Sequence, residues 1–145
     1  MKLRLVFAAL LASAWCMAAT AQDRAYTDGT VTQIASIKIE TGHFDDYMTY
    51  LQNTWTKEQA ALKAAGLILD YGVYRAAARG PHDADVYLTV TFANMAALDG
   101  FSERADAITS KVTGTTTAQD NAAASKRNEY RQVLGTELVR ELKFK

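Results

Sequence analysis

The sequence predicts an α+β domain in which helices cover one face of a four-stranded antiparallel sheet. Two kinds of segment carry this prediction: in one, apolar and polar residues alternate, and in the other, apolar residues recur every three or four positions. They follow one another in the order strand, helix, strand, strand, helix, strand. The chain has 145 residues, 49% of them hydrophobic, with 16 bases and 16 acids. This composition excludes a disordered chain and a nucleic-acid binder that works by charge.

Residues 1–21 have the pattern of a secretory signal peptide. Two basic residues precede an apolar run over 5–17, and a triplet of small residues ends at Ala21. The run is shorter than the roughly 20 residues that a membrane-spanning helix needs. A membrane anchor is therefore the less favoured alternative. We expect a mature chain of residues 22–145 that forms one domain and makes no membrane contact.

The only cysteine, Cys16, lies inside this signal, so the mature chain has neither a disulfide nor a thiolate metal cluster. The bulky Trp15 before it disfavours a lipoprotein. Loss of Lys2 and Arg4 leaves 14 bases against 16 acids, a net charge of −2. The signal predicts export, most simply to the periplasm, with secretion as the alternative.

The first strand is predicted over 31–40, after a polar lead-in over 22–29. Thr41 and Gly42 end it. A helix then begins near His43 and ends at Gly66. Its apolar residues form one stripe, and two acids occupy its first turn, where negative charge favours a helix; the residues of the stripe are Phe44, Tyr47, Met48, Leu51, Trp55, Leu62 and Ala65.

The second half of the chain repeats the pattern. Alternating residues predict strands over 67–76, 86–92 and 138–144, with a turn over 79–83 between the first two. Asn94 is the predicted N-cap of a second helix whose apolar stripe ends at Val112. The segment 113–125 is rich in Thr and Ala and is either a loop or an Ala-rich helix.

This order of elements is that of the ferredoxin-like βαββαβ fold. One face of such a sheet carries no helices, and an apolar face of several hundred Å² favours association. A second copy of the chain is its expected cover. We therefore expect a homodimer.

The order of elements resembles the dimeric α/β-barrel superfamily, which includes small monooxygenases. Three stretches are similar to a group of uncharacterised exported bacterial proteins: residues 42–66 (GHFDDYMTYLQNTWTKEQAALKAAG), 94–108 (NMAALDGFSERADAI) and 131–142 (RQVLGTELVREL). The superfamily implies a dimeric α/β barrel with a ligand pocket between sheet and helices. No catalytic residue transfers, because no asparagine, tryptophan and histidine here match the haem-degrading members.

Tyrosine is abundant, and a tyrosine brings a polar tip into an apolar wall. Such side chains are suited to a pocket for a planar or apolar ligand. The alternative is that Tyr47 and Trp55 belong to the core and that Tyr87 lies in the dimer interface. The residues predicted to line a ligand pocket are His43, Tyr47, Trp55, Tyr71, Tyr74 and Arg75.

No metal site, nucleotide loop or nucleophile is predicted, and no cofactor is expected. A loop holding His82, Asp83 and Asp85 is more typical of a solvated turn than of a cation site. Among charges near strands, Asp70 is a possible partner of Arg75, and Glu137 of Arg140. Arg104 fits a surface charge pattern with Glu103 and Asp106.

Two functions remain open from the sequence. The first is an exported protein that binds a small, partly apolar ligand or has a structural role. The second is a monooxygenase or isomerase of the dimeric α/β-barrel type that needs little or no cofactor, with His43 or a buried tyrosine handling a proton. A fold alone does not decide between them.

Overall fold

The structure is a computed structural model that describes residues 24–145. The predicted signal peptide, Cys16 and the cleavage point after Ala21 lie outside the described residues. The strands are β1 (Tyr26–Ile39), β2 (Asp70–Arg75), β3 (Val86–Phe92) and β4 (Arg131–Phe144). The helices are α1 (Phe44–Tyr50), a π-helical segment (Leu51–Trp55), α2 (Thr56–Ala64), a 3₁₀ turn (Met95–Leu98), α3 (Phe101–Thr113) and α4 (Thr117–Arg127).

The four strands form one antiparallel sheet in the order β2-β3-β1-β4. The predicted α+β fold class is confirmed, and the order of the strands is consistent with the ferredoxin-like arrangement. In the described part of the chain, no helix is long and apolar enough to cross a membrane.

The core lies between the helices and alternate residues of β1 and β3. The segments α1, π-helical and α2 follow one another without a gap, and together we call them the first helix. Ile37 and Val86 are opposite each other in the sheet and pack with Tyr47 and Leu51 of the first helix. A second cluster joins α2, β3 and α3 through residues that are at most 8% exposed: Leu62, Ile68, Phe92 and Ala105. Burial of apolar side chains on this one face of the sheet holds the helices in place.

On the opposite face of the sheet no helix packs within residues 24–145, and we call it the open face. Register and alternation place Tyr74 of β2, Tyr87 of β3 and Ile34 of β1 on it. Tyr74 is 58% exposed and Tyr87 is 38% exposed.

Both outer strand boundaries differ from the sequence prediction. β1 begins at Tyr26 and β4 at Arg131, so the residues predicted as a lead-in start the sheet instead. The two strands pair from Tyr26 opposite Phe144 to Ile39 opposite Arg131, with two register shifts. Each shift breaks the alternation that marks a strand, which is why the alternation found only the part of each strand that follows its irregularity, 31–40 in β1 and 138–144 in β4.

The second helix also starts later than predicted. Asn94 caps the 3₁₀ turn, its side chain accepting from the Ala97 N–H at 3.1 Å. The chain then turns at Gly100, which has φ of 60°, and α3 follows. Arg104, Glu103 and Asp106 are all exposed, as the predicted surface pattern requires. The Arg104 guanidinium also donates to the carbonyls of Ala97 and Asp99, which the sequence did not predict.

The segment left open between loop and helix forms α4. Thr116 is its N-cap: its hydroxyl accepts from the Gln119 N–H at 3.3 Å, while the Gln119 side chain accepts from the Thr116 N–H at 2.8 Å. This reciprocal capping box stabilises a helix that has few large apolar residues.

Neither of the two possible ion pairs forms among residues 24–145. Asp70 accepts from Lys63 of α2 at 2.8 Å. Arg140 donates to Asp28 at 2.7 Å, across the β1–β4 pair. Strand pairing and the approach of α2 decide these partners, and neither is encoded in local spacing.

Candidate functional site

Two of the predicted pocket residues, His43 and Tyr47, contact Tyr130. His43 Nδ1 lies 2.8 Å from the Asp46 carboxylate, and its ring centroid lies 5.8 Å from that of Tyr130. The Tyr47 ring meets Tyr130 edge-on at 6.4 Å and is 2% exposed. Burial raises the pKa of Tyr47 to about 12, and the nearby positive charge of Arg131 opposes this effect. Tyr47 is thus a core side chain, as the alternative interpretation held.

Trp55 and Tyr71 form a second pair. Their rings meet edge-on with centroids 5.8 Å apart, and both side chains are half-buried. Trp55 packs against the core cluster under α1, and Tyr71 against the cluster under α2. This contact joins the two clusters.

Tyr74 and Arg75 follow each other in β2 and point to opposite faces of the sheet. Tyr74 is on the open face. The Arg75 guanidinium lies 4.8 Å from the Phe44 ring, on the helix side, beside a cavity of about 410 Å³. Of the six predicted residues, the structure thus brings Trp55 and Tyr71 into contact, places His43 and Tyr47 around Tyr130, and separates Tyr74 from Arg75. It does not gather them around one pocket.

A different set of residues lines a groove between the first helix, α3 and α4. Its volume is about 600 Å³, within the range of small-ligand sites. We call it the helix groove. Its aromatic and charged lining residues are Tyr50, Lys57, Glu58, Asp106, Asp120 and Arg127.

The π-helical segment forms one wall of the helix groove. Leu51 accepts from the Thr56 N–H, five residues on, and the extra residue in this turn resets the side-chain positions that follow. Tyr50 before the segment and Glu58 after it both reach the groove, while Leu51 stays in the core. Short π-helical turns are frequent at functional sites.

Arg127, at the end of α4, forms the opposite wall. Its guanidinium lies 4.1 Å from the centroid of the Tyr50 ring. Its Nε atom is inaccessible to solvent and has no hydrogen-bond acceptor in the described part of the chain. Within residues 24–145 no carboxylate lies at ion-pair distance from it, although Glu58 and Asp120 line the same groove. A buried N–H without an acceptor is unfavourable by about 1–3 kcal/mol.

The groove also changes the proton affinity of two groups. Burial raises the pKa of the Glu58 carboxyl, the charge of Asp120 raises it further, and Arg127 opposes both. Burial likewise raises the pKa of the Tyr50 hydroxyl, against the effect of Arg127. Groups with shifted pKa in a concave site are typical of functional sites.

Asp120 is held in position by the loop before α4. Its carboxylate accepts from the Thr115 hydroxyl at 2.6 Å, and the Thr113 hydroxyl accepts from the Thr115 N–H at 3.3 Å. These hydrogen bonds connect α4 to the end of α3 and fix the position of the Asp120 carboxylate in the groove.

The loop with His82, Asp83 and Asp85 forms no metal cluster. Asp83 accepts from the backbone N–H groups of Arg79 and Gly80, and Asp85 from Lys38 at 3.2 Å and from the Ile39 N–H. No group of three or more His, Cys, Asp or Glu residues suited to a metal ion occurs among the described residues.

Comparison with known proteins gives the fold. No family model and no curated protein matches the chain. Among solved structures, it is similar to the crystal structure of HapK from Hahella chejuensis, with 16% sequence identity and a TM-score of 0.50. The match covers 77% of this chain and 91% of HapK. At this identity the likeness shows a shared fold alone.

The sequence analysis missed Glu58, Asp120 and Arg127. Glu58 is an ordinary charged residue on a helix, and α4 was left open between loop and helix. One signal was available: Arg127 follows ten residues without a large apolar side chain, so α4 had to be held by polar contacts.

Proposed function

We propose that the protein binds a small, partly apolar ligand in the helix groove. The observation that carries the proposal is the Arg127 guanidinium, which lines the groove and stacks on Tyr50, and which has no carboxylate at ion-pair distance within residues 24–145. A ligand oxygen would accept from the part of the guanidinium that lines the groove, and the groove-facing edge of the Tyr50 ring, which also stacks on Tyr47, would contact a planar apolar body. Glu58 and Asp120 on the groove wall would accept from a donor on the ligand.

Benzamide has these three features and is the probe we choose. Its ring matches Tyr50, its oxygen accepts from Arg127, and its NH₂ group faces carboxylates. Benzoate is the matched probe, which Glu58 and Asp120 would repel. Titration followed by the fluorescence of Trp55, the only tryptophan after residue 21, should show that benzamide binds more tightly than benzoate.

Arg127→Gln is the deciding variant, and Arg79→Gln, in the loop before β3, is its control. We expect Arg127→Gln to weaken benzamide binding at least about tenfold, or about 1.4 kcal/mol. The control should bind as the parent does. Equal binding by both variants, or no binding by the parent, contradicts the proposal.

A proton-transfer enzyme, such as an isomerase, is the second candidate. It is favoured by Glu58, a half-buried carboxyl of raised pKa in the same groove. Its carboxylate would take a proton from carbon next to a ligand carbonyl, and the resulting enolate oxygen would accept from Arg127. Return of a solvent deuteron would label the ligand. Deuterium uptake by 2-indanone, lost in Glu58→Gln, would support this activity, and uptake unchanged in that variant would exclude Glu58.

We also propose that the chain is exported and forms a homodimer through the open face. The signal-like residues 1–21 support export, and expression with secretion should yield a chain that begins at Gln22.

The exposed side chains of Tyr74, Tyr87 and Val139 on the open face support association of two copies. Native mass spectrometry should show twice the chain mass, and Tyr87→Glu should give a monomer. A parent chain that is already monomeric contradicts this part of the proposal.

A further inference from the structure

A second cavity lies on the other side of α4, where β1 ends and β4 begins. Its volume is about 780 Å³. Asn121 and Ala124 of α4 line both this cavity and the helix groove, whereas Arg127 lines only the groove and Arg131 only the cavity. We call it the β4 cavity.

Arg131, the first residue of β4, is the only cation in its lining. The sheet holds its backbone: Arg131 lies opposite Ile39, and the carbonyl of the preceding Tyr130 accepts from the Glu40 N–H at 2.9 Å. The side chain is half-buried, and its Nε atom is inaccessible to solvent, with no hydrogen-bond acceptor among residues 24–145. Arginine stays charged at any physiological pH, so this donor cannot be removed by loss of a proton.

The charged groups near Arg131 indicate which kind of ligand the β4 cavity suits. Glu40, the one acid in the lining, is exposed, and within residues 24–145 no carboxylate lies at ion-pair distance from the guanidinium. The carbonyl end of α4 also faces this region, and Lys126 and Arg127 in its last turn offset that negative end. A guanidinium that lines a cavity and has no carboxylate partner within the described residues favours an anion there.

The remaining polar lining is neutral. It consists of two asparagines, a serine and a glutamine, whose side chains can each donate and accept a hydrogen bond; these residues are Asn121, Ser125, Asn128 and Gln132. Such groups match hydroxyls rather than a second charge. Aromatic side chains are absent from this lining, in contrast to the helix groove.

We propose that the β4 cavity is a second binding site, for a small carboxylate that carries hydroxyl groups. The carboxylate accepts from Arg131, and the hydroxyls pair with the neutral side chains and with Glu40. This site is independent of the helix groove and does not rest on the function proposed for it.

Gluconate is the probe, inorganic phosphate tests a simple oxyanion, and sorbitol tests hydroxyls without charge. In ¹H–¹⁵N spectra, gluconate should shift the Arg131 Nε–H resonance, which the Arg131→Gln spectrum assigns. Arg131→Gln should weaken gluconate binding about tenfold or more, as for loss of a charge-assisted bond, while Arg79→Gln leaves it unchanged. Gluconate binding that is equal in Arg131→Gln overturns the proposal.

The other probes complete the test. Sorbitol binding as tight as gluconate binding would overturn the anionic class, and binding of phosphate without gluconate would overturn the hydroxy-carboxylate. If Arg131→Gln fails to fold, Asn128→Ala and Ser125→Ala take its place. Each should weaken gluconate binding a few-fold, and no weakening in either would overturn the site.

Discussion

The first helix has two sides that differ in how they meet the rest of the protein. On one side, Tyr47 and Leu51 are each 2% exposed and pack against the sheet. On the other, Tyr50 and Glu58 face the helix groove, where Arg127 stacks on a ring and keeps an unpaired donor. The first side buries apolar side chains. On the second side, Arg127 forms no ion pair with the carboxylates of Glu58 and Asp120, although all three line the groove. Tyr47 and Leu51 therefore serve the core alone, whereas Tyr50 packs against that core and also reaches the groove.

The largest expected effect is on stability and comes from a substitution on the core side of the first helix. Tyr47→Ala removes a fully buried ring and should lower the free energy of unfolding by about 3–5 kcal/mol, the range for large aromatic residues replaced by alanine. Tyr50→Ala is the matched change on the groove side and should lower it by much less, since its ring is only half-buried. Urea unfolding measures both. Equal losses would mean that the two sides do not differ as described.

Burial of the Tyr47 hydroxyl on the core side should also make the stability depend on pH. The pKa of Tyr47 is about 12 in the folded chain and about 10 when exposed. Because the folded pKa is the higher one, the associated stability is fully present below pH 10 and is lost as the pH rises from 10 through about 12. The parent chain should therefore lose more stability over this window than Tyr47→Phe. Parallel loss in both chains would show that the hydroxyl is not buried.

On the groove side, the same linkage gives a smaller effect of the same sign. The pKa of Glu58 is raised above its usual 4.5, so the folded chain binds this proton more tightly than the unfolded chain. Its contribution is greatest at acid pH and is lost as the pH rises through the folded pKa. Glu58→Gln should thus raise the melting temperature at neutral pH and change it little at about pH 4. Glu103→Gln, on exposed α3, is the control.

A raised melting temperature confined to acid pH would contradict this assignment for Glu58. So would a change of equal size in Glu103→Gln. Either result would mean that the groove does not desolvate the carboxyl.

The core could be predicted from the sequence because it follows from periodicity. Tyr47 and Leu62 lie on the predicted stripe, and the strand over 86–92 has the predicted bounds. An apolar period of 3.6 or 2 residues indicates which side chains share a face of a helix or strand, and the shared apolar face is the one that is buried. The fold class followed from the order of these elements.

The groove could not be predicted in this way. Glu58 and Arg127 are distant in sequence and meet only because a π-helical turn shifts one wall and a capping box builds the other. The predicted pocket residues were chosen for their chemistry. Tyr74 and Arg75 are consecutive residues of β2, so their side chains lie on opposite faces of the sheet. A site made from charges on two helices has no period to detect.

Binding of benzamide to the parent chain and to Arg127→Gln, measured by isothermal titration calorimetry, tests the central claim most directly. We expect a single site in the parent, at least about tenfold weaker binding in the variant, and unfolding free energies that agree within about 1 kcal/mol. Binding that survives in Arg127→Gln, or that is lost only together with the fold, would show that the unpaired arginine serves the structure and not a ligand.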